Sequence, residues 1–211
     1  MGEVSPFALS GRLCYEDAML SRRHFLTSLL TPALLALVPD LVNAQEGVFL
    51  SEEDAPRAVF PEATQFDKTI IPSTEALREK MKALLGRTRP SIWEDVYVTF
   101  LARRNGEHLG FAVITEEIGK HRPITFIVGV TPNGKVKDVA LMAYREPYGA
   151  EVRDRRFMRQ YHEKDLAAPL APYRDIVNIA GATLSVQSIS RGVKKVLALA
   201  QLVLLNGSHR P

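Results

Sequence analysis

The residues best suited to chemistry form a turn of small side chains just before the last helical pattern, Ile179-Ala180-Gly181-Ala182-Thr183-Leu184-Ser185. Small residues let the backbone approach a ligand closely, and a helix N-terminus offers free N–H groups and the positive end of its dipole. This combination suits a phosphate, favouring one negative charge by roughly 0.3 to 1 kcal/mol. The hydroxyl of Thr183 would then lie beside the phosphorus. The same residues also suit an ordinary helix start with threonine or serine as N-cap, so the turn alone leaves both interpretations open.

Composition argues against several other kinds of site. The chain has 211 residues and a formal net charge of +3, and no Lys/Arg run is interleaved with aromatic residues, so we predict no nucleic-acid partner. Its only cysteine is Cys14, and its five histidines show no i,i+3 or i,i+4 pairing. We therefore predict neither a disulfide framework nor a metal site built from protein ligands.

The N-terminus resembles a twin-arginine signal peptide. Arg22-Arg23 precede an apolar run from Phe25 to Val38, which is shorter than the ~20 residues of a membrane span. Val42-Asn43-Ala44 then offers the small-x-small pattern of a signal peptidase site, and we predict cleavage after Ala44. Export by the twin-arginine translocase would place the chain in the periplasm or another extracytoplasmic space, with membrane association left open. The alternative is a buried amphipathic helix near a domain start.

These features divide the chain into five parts. Residues 1–18 fit no signal-peptide region and are interpreted as a misassigned start or an extension, with Met19 as the true start. Residues 19–44 are the signal peptide, and 45–72 are an extended arm or linker with one anchored turn at Val59-Phe60-Pro61. Residues 73–205 form the folded domain, and 206–211 are a tail.

The first half of the domain is predicted to be one helix followed by two β-hairpins. Ser73 can cap an amphipathic helix that ends at Gly86. Asn105-Gly106 suits a tight reversal between a strand at 93–102 and a return strand at 110–115. A second hairpin turns at residues 131–134, between alternating residues 124–130 and a strand from Lys135 to about Tyr144. Its apolar pattern changes phase between Val136 and Val139, which predicts a bulge.

The second half contains an arginine-rich segment and a long helix. Residues 150–166 carry arginines at 153, 155, 156 and 159, with Val152, Phe157 and Tyr161 as inward contacts. This segment is either a solvated face or a docking face for an acidic or membrane-bound partner. Apolar residues from Val186 to Leu204 recur at helical spacing. The predicted class is α+β, with a mainly antiparallel twisted sheet of hairpins flanked by helices and a long C-terminal helix.

Two motifs resemble a known family. Gly181-Ala182-Thr183-Leu184-Ser185, with Val193 downstream, is similar to the S/T-G-A-T-x-S/T signature of the FMN-binding domain in the G subunit of the Rnf complex and the C subunit of the sodium-pumping quinone reductase. Residues 144–149, Tyr-Arg-Glu-Pro-Tyr-Gly, resemble the family's E-T-P-G loop beside the flavin. The resemblance covers roughly residues 74 to 205. It implies that FMN is the cofactor and that Thr183 carries it through a phosphoester.

The resemblance also implies the residues around the cofactor. The cofactor-binding positions are Glu146, Tyr148, Gly149, Gly181, Ala182, Thr183, Leu184 and Ser185. Tyr148 and Trp93 are candidates for holding the flavin ring, although an aromatic residue in such a segment more often belongs to the core. No catalytic residue is assigned, because Glu146, His121 and His162 show no coupling in the sequence.

Two positions depart from the family pattern. Ala180 stands where serine or threonine is usual, and Val177 stands where the flavin transferase motif prefers an acid, with Asp175 two residues too early to replace it. FMN bound noncovalently, or attached to Ser185, therefore remains an alternative to attachment at Thr183.

The function implied is that of an exported flavoprotein that transfers electrons to or from a membrane or extracytoplasmic redox partner. A flavin transferase would install the FMN. The pattern favours an electron-transfer subunit over a stand-alone enzyme. The alternatives are an extracytoplasmic flavin-dependent reductase and a noncovalent FMN-binding module.

Overall fold

The computed structural model describes residues 47–205. The predicted signal peptide with Arg22 and Arg23, the cleavage point after Ala44, and the tail 206–211 lie outside the described residues. No helix within 47–205 is long and apolar enough to cross a membrane.

The centre of the fold is one antiparallel sheet whose strands lie in chain order, β1-β2-β3-β4-β5. The strands are β1 Gln65–Pro72, β2 Val96–Arg104, β3 Glu107–Ile118, β4 Pro123–Val130 and β5 Val136–Tyr144. The helices are α1 Ala55–Val59, α2 Glu75–Leu85, α3 Arg155–Met158 and α4 Thr183–Leu199, which continues as a π-helical turn at Ala200–Leu204. The predicted α+β class is confirmed, including the long helix after the 179–185 turn.

The hairpins turn where the sequence predicted. Asn105 and Gly106 have φ values of 52° and 84°, as a two-residue reversal requires, and Gly134 has φ 76°. β5 pairs with β4 through two register shifts. One shift leaves Lys137 unpaired, which confirms the bulge predicted between Val136 and Val139.

Two details differ from the sequence predictions. Thr74, not Ser73, caps α2 by accepting a hydrogen bond from the N–H of Leu77, because the Ser73 hydroxyl accepts one from Arg78 Nε at 2.9 Å. The described part of the predicted arm, residues 47–72, contains a helix and a strand. Val59 and Phe60 are buried as anchors, but they belong to a region that contains α1 and the edge strand β1.

Both faces of the sheet are covered. α4 packs on one face through Val186, Ile189, Val193 and Val196, all fully buried. On the other face, α1 and Phe60 cover a smaller cluster around Ile127. Because α4 is buried along its length, the position of its N-terminus is set by the sheet.

The segment after β5 follows the predicted pattern. Val152, Phe157 and Tyr161 are buried and anchor α3 together with the two short 3-10 turns at Ala150–Arg153 and Arg159–Tyr161. The four arginines of this segment are exposed.

A buried lysine fastens α4 to the sheet. The ammonium group of Lys195 donates hydrogen bonds to Glu94 Oε1 and to the carbonyls of Ile92 and Glu116, each at 2.9 Å. These three bonds use all of its donors, and Glu117 Oε1 lies 3.1 Å away as a further ion partner.

Glu117 extends this network to the loop before β2. Its other oxygen accepts hydrogen bonds from the N–H and hydroxyl of Ser91, at 2.8 and 2.6 Å, and lies 3.4 Å from Arg191 Nε. Two carboxylates thus face two cations, and the charges balance inside the protein.

We expect Lys195→Met to lower the free energy of unfolding by about 3–5 kcal/mol, because it leaves the buried Glu117 and the largely buried Glu94 without their cation. Urea unfolding at neutral pH measures the effect. The matched control is Lys194→Met, which removes a half-buried neighbouring charge and should cost less than about 1 kcal/mol. If both variants lose the same free energy of unfolding, Lys195 is not the cation that stabilises these buried carboxylates.

Candidate functional site

The N-terminus of α4 lacks a capping side chain. Its N-cap is Ala182, and within residues 47–205 no side chain caps the first turn, so the interpretation of this turn as a start capped by threonine or serine is wrong. The N–H groups of Thr183, Leu184 and Ser185 precede the first helical hydrogen bond, from Val186 N–H to the Ala182 carbonyl. These three donors remain available to an anion.

Asn178 holds the Thr183 hydroxyl in place. Its Nδ2 donates to Thr183 Oγ1 at 2.8 Å and to the Tyr173 hydroxyl at 2.7 Å. Its Oδ1 is buried and has no hydrogen-bond partner among residues 47–205. Sequence reasoning did not identify this residue, and its place five residues before Thr183 was the only available signal.

The loop after β5 is held by Glu146. Its Oε1 accepts hydrogen bonds from the N–H groups of His121 at 2.6 Å and Arg122 at 2.9 Å. This carboxylate thereby fastens the loop to the β3–β4 turn. The bonds also place His121 beside Glu146, whereas the ring of His162 lies elsewhere, with its Nδ1 2.6 Å from the Lys137 carbonyl oxygen.

Tyr144 joins this loop to α4. Its hydroxyl donates to the Tyr148 carbonyl at 2.6 Å, so the Ser185 hydroxyl, 3.1 Å away, donates to Tyr144 in turn. Gly149 has φ 83°, and a Cβ there would lie 2.6 Å from Ala182 Cβ and 2.8 Å from the Tyr144 hydroxyl. The loop and the helix N-terminus are therefore in direct contact at Gly149.

The two motifs enclose one cavity of about 570 Å³. All eight predicted cofactor-binding residues line it, together with Lys120, His121, Pro147, Glu151 and Ala180. No pattern in the sequence pointed to Lys120 and His121 as part of the site, because they lie in the β3–β4 turn, far from both motifs. A second cavity of about 620 Å³ adjoins the first at Ala180.

The two aromatic candidates differ in position. Tyr148 lies at the mouth of the cavity and is 77% exposed. Trp93 does not line the cavity but packs against the main core, with Lys82 Nζ 5.9 Å from the centre of its ring. Trp93 is therefore a core residue and not a ligand of the site.

Asp175 does not take the place of Val177. Its carboxylate accepts hydrogen bonds from the N–H groups of Leu170 and Ala171 and forms an ion pair with Lys164 at 3.1 Å. Val177 is 72% exposed, so the position at which the family prefers an acid is an apolar surface residue here.

The charge of Glu146 is stabilised by the backbone. Burial alone would raise the pKa of Glu146, but hydrogen bonds from the N–H groups of Arg122, His121 and Lys120 outweigh it and lower the pKa below the ordinary 4.5. Because the folded pKa is depressed, this carboxylate contributes stability above its ordinary pKa. That contribution is lost as the pH falls through the folded value.

We expect Glu146→Gln to lower the free energy of unfolding by about 1–2 kcal/mol at neutral pH, because a neutral acceptor forms weaker bonds. The difference from the wild type should begin to shrink below pH 4.5 and should be lost as the pH falls through the lower folded pKa, where the wild-type carboxyl becomes protonated. Urea unfolding as a function of pH checks this. Glu151→Gln, at an exposed carboxylate of the same cavity, is the control and should show no such pH-dependent difference.

We expect Gly149→Ala to cost about 1–3 kcal/mol more than Gly106→Ala, since only the first substitution overpacks its surroundings. Gly106 has nearly the same φ, 84°, but a Cβ there meets nothing within 4 Å. Thermal unfolding of both variants separates the two effects. Equal costs would mean that loop and helix are not in close contact.

This chain is similar to known proteins in sequence and in fold. A family model described as the FMN-binding domain matches residues 119–198. The G subunit of the proton-translocating ferredoxin:NAD(+) oxidoreductase complex of Clostridium ljungdahlii is 28% identical over 116 residues. The match covers 51% of this chain and 61% of that protein, so the chain spans about three fifths of the length of this relative. The crystal structure of Shewanella oneidensis NqrC matches with a TM-score of 0.47 and 15% identity, over 67% of this chain and 81% of that one.

The residues of the cavity fit FMN. The free N–H groups of residues 183–185 suit its phosphate, and Gly181, with φ 79° and open space at its Cβ position, leaves room beside them. The volume of about 570 Å³ lies in the usual range of small-molecule sites. Residues 119–198 are thus similar to the FMN-binding domain, and FMN is the cofactor of this chain.

Proposed function

We propose that this chain is an exported electron-transfer flavoprotein in which FMN is joined to Thr183 through a phosphoester. The observation that carries the proposal is the position of one hydroxyl. Thr183 lies at the uncapped N-terminus of α4 and lines the cofactor cavity. The alternative acceptor, Ser185, is buried, and its hydroxyl is bonded to Tyr144. Thr183 is therefore the favoured acceptor.

A flavin transferase would install the cofactor from FAD, with Mg²⁺ bound at the transferase. The Thr183 oxygen forms a bond to the phosphorus on the FMN side of FAD and loses its proton, while the bond from that phosphorus to the bridging oxygen breaks. AMP is the leaving group, and nothing is oxidised or reduced. Asn178 holds the Thr183 oxygen in place through its 2.8 Å hydrogen bond.

The departures from the family pattern at Ala180 and Val177 affect how a flavin transferase would recognise this chain. They do not change the Thr183 hydroxyl itself. Both residues are exposed beside the turn. A transferase that approaches Thr183 would meet them on the surface of this chain. We propose that the transferase for this protein accepts an apolar residue at Val177.

The chain's own residues bind and position the cofactor. FMN supplies the redox chemistry when bound, because its ring accepts and releases electrons. The N–H groups of residues 183–185 would hold the phosphate oxygens, and Glu146 holds the loop that carries Tyr148 and Gly149. Since Glu146 accepts backbone hydrogen bonds, its role is to position the loop.

Three observations support electron transfer with a partner outside the cytoplasm. The relative from Clostridium ljungdahlii is by name a subunit of an oxidoreductase complex. The cavity has an exposed mouth at Tyr148, where another protein can approach. The pattern at Arg22-Arg23 with the cleavage box at Ala44 supports export by the twin-arginine translocase to the periplasm or an equivalent space. We propose a membrane redox protein as the partner.

The attachment is tested by expressing the protein with a flavin transferase, denaturing it and measuring its mass. We expect a yellow chain that is heavier by one FMN less one water. Thr183→Ala should abolish the added mass, because no hydroxyl remains at the helix N-terminus, whereas Thr183→Ser should retain part of it.

Ser185→Ala is the matched control, and it should keep the adduct. An adduct that persists in Thr183→Ala and disappears in Ser185→Ala would identify Ser185 as the acceptor. Flavin that is released completely on denaturation would show a noncovalent module. Steady turnover of a small substrate by the isolated protein would contradict the carrier role and indicate a reductase.

A further inference from the structure

We propose that the rim of the cofactor cavity is a docking surface for an acidic redox protein. The rim consists of six exposed residues, Lys120, Tyr148, Tyr173, Arg174, Val177 and Leu184. The inference rests on the proposed electron-transfer function, because it concerns the chemistry of the protein with which the flavin exchanges electrons.

The centre of the rim is apolar and aromatic. Tyr173, Tyr148 and Val177 are 78%, 77% and 72% exposed, and Leu184 is 48% exposed. They line two cavities that adjoin at Ala180. Tyrosine is enriched at protein interfaces because it offers a large contact area at a small loss of conformational entropy.

The Tyr173 side chain is held in its outward position. Its hydroxyl accepts a hydrogen bond from Asn178, the residue that also holds Thr183. Its φ of 64° lies in the left-handed region, which is unfavourable for a bulky residue. The fold thus presents an aromatic surface next to the attachment point.

The charges around this apolar centre are mainly positive. Lys120 and Arg174 belong to the rim, and Arg122 and Arg145 are next in sequence to the lining residues His121 and Glu146. All four are exposed, and none has a carboxylate within ion-pair distance among residues 47–205. Glu151 is the exposed carboxylate of the cavity, and the four cations outnumber Glu151 and Glu146 together, because Asp175 is paired with Lys164.

Two other carboxylates near the rim are occupied. Glu146 accepts the N–H groups of His121 and Arg122, and Asp175 accepts those of Leu170 and Ala171 besides pairing with Lys164. Neither carboxylate forms an ion pair with a cation of the rim among residues 47–205.

Three cations in or beside the sheet are paired. Lys135 pairs with Glu163 at 3.1 Å, Lys137 with Glu62 at 2.8 Å, and Arg103 with Asp67 at 3.2 Å. Paired charges cancel at a distance, whereas the unpaired cations at the cavity mouth produce a field that attracts anions.

An acidic protein surface fits this arrangement better than a lipid surface. A positive rim steers an acidic partner and orients it, and an apolar centre excludes water at the contact. Electron-transfer encounters use small interfaces, below about 1,200 Å² in total, and a single cavity rim can supply such an area. A lipid headgroup layer would cover the mouth without placing a protein redox centre there.

The test compares two haem proteins of opposite charge, acidic cytochrome b5 and basic cytochrome c, as oxidants of the reduced, FMN-loaded protein in stopped flow. Each ferric haem takes up one electron, so one fully reduced FMN yields two ferrous haems and releases its protons to the buffer. We expect the rate with cytochrome b5 to fall at least about ten-fold as salt is added, and the rate with cytochrome c to rise.

The variant Lys120→Glu/Arg174→Glu should reverse both salt dependences. If it fails to load FMN, Arg145→Glu/Arg174→Glu makes the same charge change without altering Lys120. The matched control is Lys80→Glu/Arg104→Glu, which changes two exposed cations that line neither cavity. In this variant the rate with cytochrome b5 should still fall with salt, and the rate with cytochrome c should still rise.

Three results would overturn the proposal. Equal effects of the rim and control variants would show that only net charge matters. A cytochrome b5 rate that does not depend on salt would exclude electrostatic docking. Sedimentation with phosphatidylserine vesicles that requires Lys120 and Arg174, without an effect of these residues on the haem kinetics, would assign the rim to lipid. If neither haem protein oxidises the reduced flavin, the proposed electron-transfer function itself is contradicted. If both oxidise it without the expected salt dependences, only the docking proposal is contradicted.

Discussion

The hydrogen bond between Tyr144 and Ser185 joins the two halves of the cofactor site. Tyr144 ends β5 and Ser185 lies in the first turn of α4, so the 3.1 Å contact connects residues 41 positions apart. Burial raises the pKa of Tyr144, which keeps its hydroxyl protonated and donating to the Tyr148 carbonyl. The loop that carries Tyr148 and Gly149 and the helix that carries Thr183 therefore hold a defined position relative to each other.

α4 is the element that organises both walls of the cavity. Its buried apolar face packs on the sheet, and Lys195 ties its middle to Glu94 and Glu117. Closer to its N-terminus, Ser188 donates to the Ile118 carbonyl, directly before the turn whose N–H groups hold Glu146. The helix that offers the Thr183 hydroxyl thus also supports the opposite wall.

Backbone N–H groups determine the electrostatics of the site. At the start of α4 they remain free for a phosphate, and in the β3–β4 turn they are used by Glu146. Glu146 and Asp175 accept backbone hydrogen bonds and form no ion pair with the cations of the cavity mouth among residues 47–205. Local turn geometry thereby produces both an anion site inside the cavity and a positive rim around it.

Patterns confined to neighbouring residues could be predicted from the sequence. The hairpin at Asn105-Gly106, the bulge in β5, the inward side chains of 150–161 and the helix after Thr183 depend on contacts or backbone angles within a few residues. The two FMN-binding motifs are also local, and both lie at the cavity. The edge strand β1 could not be predicted in this way. Its side chains are mostly exposed, and its order comes from backbone pairing with β2, from Gln65 opposite Arg103 to Pro72 opposite Val96.

Tertiary packing selects which polar groups meet. It makes Thr74 rather than Ser73 the cap of α2, because Arg78 occupies the Ser73 hydroxyl. It brings Lys120 and His121 to the cavity and places Trp93 in the core. It also pairs Tyr144 with Ser185, 41 positions apart.

The helices, the hairpins and the candidate acceptor Thr183 could be identified from the sequence because their signals are short-range. The Thr183 hydroxyl is held by the nearby Asn178, but its cavity also includes Lys120 and His121, which are distant in the chain. These residues reach the cavity only when α4 packs on the sheet, so no local pattern could reveal them.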